Sequence, residues 1–369
     1  MGSFATRGHS AALGLVERAT RTEQPPHALL LLGPGRVGKT TLALDLVAGL
    51  LCLAADPAER PCRECAACRK IANGNHPDLH LLAPEGAGQQ IRVGQVQALA
   101  SALALLPLEG RFRIAVITSA ERLNIDAQNA LLKTLEEPPA AAVLVLAADE
   151  TAGLLPTVVS RCVRLHMGPV ASEVIAEMLA ETGKVDASRG AALGRLAGGR
   201  PGVALAIAEQ PDAALIQSRL AGGLLDLLRS DRRRRLAAPA DLLEDAAALA
   251  AAATGTVSTP AGEPASAAAR QRPGRRTSPA ERRSAAQQLL EVWKDVARDL
   301  AVAARGGRRE LRQHELLDEL AGAGDLVEAA AAARFLARLD AASRAIDAYA
   351  NPELVLDALL LEWPRARAA

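Results

Sequence analysis

The strongest chemical signal in the chain is Gly33-Pro34-Gly35-Arg36-Val37-Gly38-Lys39-Thr40. Two glycines bracket four residues and are followed by a lysine and a hydroxyl, the Walker A spacing of phosphate-binding loops. Glycines let successive backbone N–H groups curl around phosphate oxygens, and a helix starting at the loop turns its positive end toward them. Gly33, Gly35 and Gly38 supply the cradle. Lys39 reaches the β/γ-phosphates, Thr40 holds Mg²⁺, and Thr41 continues the first helical turn. The expected ligand is therefore ATP with Mg²⁺.

A second set is Cys52, Cys62, Cys65 and Cys68, spaced C-x9-C-x2-C-x2-C. Four thiolates at such spacings can wrap one tetrahedral Zn²⁺, and a complete sulfur shell leaves no open position for a substrate water, so the expected role is structural. An iron–sulfur cluster would use a C-x2-C-x2-C run, but no fourth cysteine followed by proline lies downstream. Disulfides do not suit a reducing compartment. His76 and His80 are read as turn or surface residues, not ligands.

The residues needed for hydrolysis are missing from their expected places. The apolar run Arg113–Ile117 reads as a buried strand. In a P-loop ATPase it should end in Asp-Glu, one acid anchoring the Mg²⁺ shell and the other polarising the attacking water. Here Thr118 and Ser119 occupy those positions, and the nearest acid is Glu121. A register change that re-aims Glu121 by two residues is the alternative, and it would make the chain an ATPase acting in cis. The later strand Val143–Ala147 runs into Ala148 and offers no polar sensor for a γ-phosphate.

The elements that must position these groups are legible from periodicity and breakers. A strand, Ala28–Leu32, feeds the glycine loop, and Thr41–Leu51 reads as a helix. The cysteine module lies between that helix and a strand at Leu79–Leu82. Helices are expected at Ala11–Ala19, Val96–Leu106 and Ala127–Glu137, the last stopped by Pro138-Pro139. Val163–Leu165 is a further strand, so residues 1–166 read as an α/β P-loop domain with a parallel sheet. Residues 167–209 read as a small helical lid, with helices at Val170–Thr182 and Ala187–Leu196. Residues 210–369 read as all-α, with helices at Leu215–Leu228, Ala285–Ala304, Glu310–Ala323 and Asp325–Tyr349 and a last one capped by Asn351. Within that part, 254–284 is rich in Pro, Gly, Ala, Ser and Arg without apolar periodicity and reads as a disordered insertion. Arg229 and Arg232–Arg235 read as a solvated basic face.

Walker A, the four-cysteine knuckle, Asn73–Asp78, Asn129–Pro139 (NALLKTLEEPP) and Ser160-Arg161-Cys162 together resemble the AAA+ subunits of bacterial DNA polymerase III clamp loaders. The knuckle with missing Walker B acids is most similar to the delta-prime type rather than the hydrolysing gamma/tau type. The likeness is strong over residues 8–210 and returns at Asn351–Leu360. It implies a RecA-like AAA+ domain with a zinc-knuckle insertion, a helical lid and a helical collar that assembles a ring. It implies gamma/tau and delta subunits as partners, with the sliding clamp and primed DNA reached through the complex. It also implies that Arg161 is an arginine finger, offered in trans to ATP on a neighbour. A guanidinium suits that role because it is always charged, planar and bidentate toward phosphate. The bland alternative for Arg161 is an internal ion pair. Arg200, near the start of a lid helix, is a weaker candidate for a cis sensor, and Cys162 is a small buried filler. Some relatives have an eroded P-loop, whereas this one is intact.

Bulk properties exclude several classes. The net charge of +1 leaves no global field for nucleic acid, so such contact needs a local patch. Aromatics are only 2%, which disfavours stacking on bases. Met1–Ser10 has no apolar core for a secretory leader, no uncharged apolar run reaches about 18 residues, and a cytoplasmic protein is expected.

Overall fold

The computed structural model describes residues 2–84, 90–183, 185–209, 211–254, 279–307, 311, 313 and 316–366. Contacts divide them into two units, one of residues 2–178 with 199–202 and one of 179–198 with the described residues from 203 onward.

The first unit is a three-layer α/β/α domain. In chain order it runs α1 (Ser10–Thr22), β1 (Ala28–Leu32), α2 (Lys39–Leu51), α3 (Ala66–Ala72), β2 (Leu79–Leu82), α4 (Val93–Leu103), β3 (Arg113–Ile117), α5 (Ile125–Glu136), β4 (Ala142–Ala148), α6 (Pro156–Val159) and β5 (Val163–His166). The five strands are parallel and lie in the order β2-β3-β4-β1-β5. The parallel sheet is as expected from sequence, and the structure adds the strand order. β1, β3 and β4 are buried along their whole length, which explains their unbroken apolar runs. Leu30, Leu32, Ile117 and Leu146 face one core with Leu99 of α4 and Leu131 and Leu135 of α5. Leu29, Leu31 and Val145 face the other, with Val16 of α1 and Leu42 and Leu46 of α2. The alternation of the strand residues assigns each to a layer.

Strand ends lie where α/β sheets bind ligands, outside the carboxyl edge. β1 pairs with β4 so that Leu32 stands opposite Ala148, and Gly33 N–H donates to Ala148 O at 3.3 Å. The phosphate loop and the residue after β4 are thereby neighbours. Gln128 of α5 fixes the segment that follows. It is buried, donates to Leu123 O (3.0 Å) and Gly153 O (2.9 Å), and accepts from Leu155 N (2.6 Å).

α4 ends at Leu103, three residues before the expected Leu106. Leu105, Leu106 and Leu108 are exposed in the loop beyond it, so their apolar character did not mark helix.

The remaining helices are α7 (Ser172–Glu181), α8 (Ala187–Leu196), α9 (Pro201–Glu209), α10 (Pro211–Asp226), α11 (Arg232–Thr254), α12 (Pro279–Ala303), α13 (Leu317–Gly324), α14 (Ala329–Asp347) and α15 (Pro352–Glu362). The lid expected over 167–209 is shared by both units, with Gly199–Gly202 in the first and Leu179–Gly198 in the second. The second unit has a core built around Trp293, Leu300, Leu339 and Trp363, and Phe335 meets Trp363 edge-on at 4.6 Å. Two expectations need correction here. Arg235 of the basic run is buried, donating to Trp363 O and Pro364 O beyond the end of α15. Pro279–Ser284, assigned to the disordered insertion, forms the first turns of α12, and the stretch from 255 to 278 lies outside the described residues.

Candidate functional site

The phosphate loop has the backbone its glycines require. Gly33 has φ of 157°, and a Cβ there would lie 2.1 Å from Met167 O. Gly38, with φ of 112°, caps α2 in a conformation side chains rarely adopt. Lys39 opens α2, with Thr40 and Thr41 exposed on its first turn. Gly202 N–H donates to Arg36 O at 3.0 Å, which brings the segment containing Arg200 beside the loop. His9 Nε2 lies 3.1 Å from Val37 O on the loop's other side.

Lys39 Nζ donates to Gly33 O, to Pro34 O at 3.0 Å and to Asp149 Oδ1 at 2.7 Å. Asp149 has no sequence signal of its own, since the end of β4 reads as carrying no polar group. The strand ends one residue later than expected, at Ala148, and the first residue beyond it is this acid.

At the end of β3, Thr118 and Ser119 stand where an ATPase has its acids. Thr118 N–H donates to Leu82 O at 3.0 Å. A tight turn, Ala120–Arg122, follows and holds Glu121. Glu121 packs against Gly153, and its Oε2 is buried without a partner among the described residues. Burial pushes its carboxyl above the ordinary range, the charge of Asp149 adds to this, and the charge of Lys39 opposes it.

Arg161 follows α6. Its Nη1 donates to Thr157 O at 3.0 Å, and its Nη2 lies 2.7 Å from Glu136 Oε1 at the end of α5. Both side chains are partly exposed. Glu136 belongs to the LEEPP stretch, so two separate motifs of the resemblance meet as an ion pair. Cys162 is buried among apolar side chains, which raises its thiol to about 11.

The four cysteines converge. Their sulfurs all lie within 4.8 Å of one another, with Cys52 and Cys62 at 3.5 Å and Cys52 and Cys65 at 4.0 Å. Sulfurs on a tetrahedral zinc at about 2.3 Å would stand roughly 3.8 Å apart, so the set fits such an ion. Backbone N–H groups point at the sulfurs: Ala54 and Cys62 to Cys52, Cys65 to Cys62, and Cys68 to Cys65. Burial works against the Cys65 thiolate, but donors from Leu53 and Cys68 outweigh it and bring its pKa down to about 6. Cys52 closes α2 and Cys65 caps α3, so the module continues from the helix that the phosphate loop begins. His76 is buried rather than superficial, accepting from Asp78 N–H at 3.2 Å.

Comparison with known proteins finds relatives of the first unit. Residues 8–171 match the family model described as DNA polymerase III, delta subunit. The chain is 43% identical over 141 residues to the DNA polymerase III subunit delta' of Pseudomonas aeruginosa, covering 38% of this chain and 43% of that protein. It is 35% identical over 167 residues to the delta' subunit of Bacillus subtilis, covering 45% and 50% respectively. The tau subunit of Bacillus subtilis is 34% identical over 149 residues, 40% of this chain and 26% of that one. The matches thus span about half the length, or less, of these relatives. Over residues 8–171 the chain is therefore similar to delta-type subunits of DNA polymerase III, delta' among them.

Proposed function

We propose that the protein is the non-hydrolysing or weakly hydrolysing stator of a clamp loader, assembling with gamma/tau and delta subunits to load a sliding clamp onto primed DNA. Identity alone does not separate delta-prime from tau, since both relatives match at similar levels. The observation that carries the reading is the end of β3, where Thr118 and Ser119 replace the two acids while the Lys39 loop is retained. A hydroxyl cannot take a proton from water at neutral pH or balance a metal's charge. Loss of preorganised electrostatics of this kind costs on the order of a hundredfold or more in rate.

In this reading Arg161 serves a neighbour's ATP. Leaving Glu136 for a γ-phosphate exchanges one anion for another, so the guanidinium stays paired in both positions. The four sulfurs would hold Zn²⁺ as a structural ion, tying the end of α2 to α3. Gly33, Gly35, Gly38 and Lys39 would cradle ATP, with Thr40 on its Mg²⁺.

The isolated chain is expected to show negligible ATP turnover, and brisk turnover abolished by Lys39→Ala would defeat the stator reading. In a loader reconstituted with gamma and delta subunits, Arg161→Ala should cut DNA-stimulated ATPase by roughly 10³ or more while this chain stays folded. Unchanged activity in that complex rules out the trans role.

A second reading is favoured by one observation, the buried Oε2 of Glu121, a carboxyl that feels the charge of Lys39. There the chain is a gamma/tau-type ATPase with Glu121 as base. Glu121→Gln separates the two, since it abolishes turnover only if chemistry occurs in cis.

A further inference from the structure

We propose that Asp149 is an internal competitor of nucleotide, a carboxylate held over the phosphate loop that an incoming polyphosphate must displace. This rests on the reading of Gly33–Thr40 as a nucleotide cradle.

Asp149 is the first residue beyond β4, and the pairing of β4 with β1 sets it beside Gly33. One of its oxygens takes Lys39 Nζ at 2.7 Å. The other lies 3.6 Å from the place a Cβ on Gly35 would occupy, above the backbone that would wrap a phosphate. With Gly33 O and Pro34 O as its other acceptors, the ammonium has all three donors engaged inside the chain. Lys39 is 8% exposed and Asp149 57%, so the acid stands on the side from which a ligand arrives.

A polyphosphate entering this loop must take the lysine from its partner and then sit beside a fixed negative charge. Where an ATPase would recruit a compensating Mg²⁺ with its strand-end acids, Thr118 and Ser119 bring no charge. Competition and like-charge repulsion therefore act in the same direction. An intact Walker A motif beside a carboxylate at the next strand's end is a loop with its affinity turned down.

The test is equilibrium binding of a fluorescent ADP derivative to the full chain, with ATP as competitor, in the presence and absence of Mg²⁺. Asp149→Asn keeps the shape and removes the charge. It should bind about tenfold more tightly than wild type in both conditions, equivalent to about 1.4 kcal/mol. Asp149→Ser should tighten binding as well, and Lys39→Ala in the Asp149→Asn background should abolish the gain. Lys39-dependent binding by wild type with no gain in either Asp149 variant overturns the inference and leaves the cradle reading standing. Weaker binding by the variants only with Mg²⁺ also overturns it, making Asp149 a metal ligand. No binding by any variant at millimolar nucleotide overturns both.

Discussion

Glu121 carries its carboxyl into the turn after β3, where burial holds its pKa above the usual carboxylate range. A carboxyl with a raised folded-state pKa favours the folded state while protonated and loses that contribution as pH rises through the window between the two pKa values. Glu121→Gln keeps the shape without the charge. It should therefore raise the melting temperature at pH 7 relative to wild type, and the difference should shrink toward pH 4, where the wild-type carboxyl is protonated in both states. A constant difference across that range would contradict the burial of this carboxyl. Asp45 is a carboxylate with partners. Also buried, it accepts from Ala5 N at 3.0 Å and Thr6 N at 2.8 Å and pairs with Arg63 of the cysteine module. Asp45→Ala leaves three donors without their acceptor and should cost about 2–3 kcal/mol in denaturant unfolding.

At the scale of elements, the cysteine module and the phosphate loop share α2, one at each end. Arg63 Nε also donates to Ser3 O at 2.8 Å, and Ser3 N to Pro61 O at 2.9 Å, so the N-terminal segment is stitched to the module before reaching His9 beside the loop. Structural zinc contributes folding energy directly. Cys65→Ser should lower both metal content and melting temperature, and equal values in the mutant would refute the metal site. Gln128 has a comparable role for the other half of the site. Its bonds to Leu123, Gly153 and Leu155 position the segment between β4 and α6. Gln128→Ala should cost about 2–3 kcal/mol, because buried backbone groups lose their partners.

At the scale of the whole molecule, the chain is two structural units with different logic. The first is a sheet whose carboxyl edge gathers Lys39, Glu121 and Asp149. The second is an alanine-rich helical assembly whose packing centres on Trp293, Phe335 and Trp363. In that unit, Arg235 gathers carbonyls from Leu228, Leu360, Trp363 and Pro364. Arg235→Met fills similar space but removes the guanidinium donor from the Trp363 and Pro364 carbonyls, and should destabilise the helical unit by about 3 kcal/mol in denaturant unfolding. Among the described residues no helix is long and apolar enough to cross a membrane.

The sequence by itself determined the glycine loop, the four cysteines and the buried parallel strands. Each is a local pattern: spacing fixes a loop, and an unbroken apolar run fixes a strand covered on both faces. It also showed that Thr118 and Ser119 carry no acid. Only the tertiary structure decided what surrounds those patterns. Asp149 meets Lys39 across 110 residues because β1 and β4 are neighbours in the sheet. Glu121 packs against Gly153, Glu136 meets Arg161 where α5 ends, and Arg235 leaves its basic run to close the end of α15. Charge partners are set by strand order and helix packing, which bring together residues whose separation along the chain carries no record of the pairing.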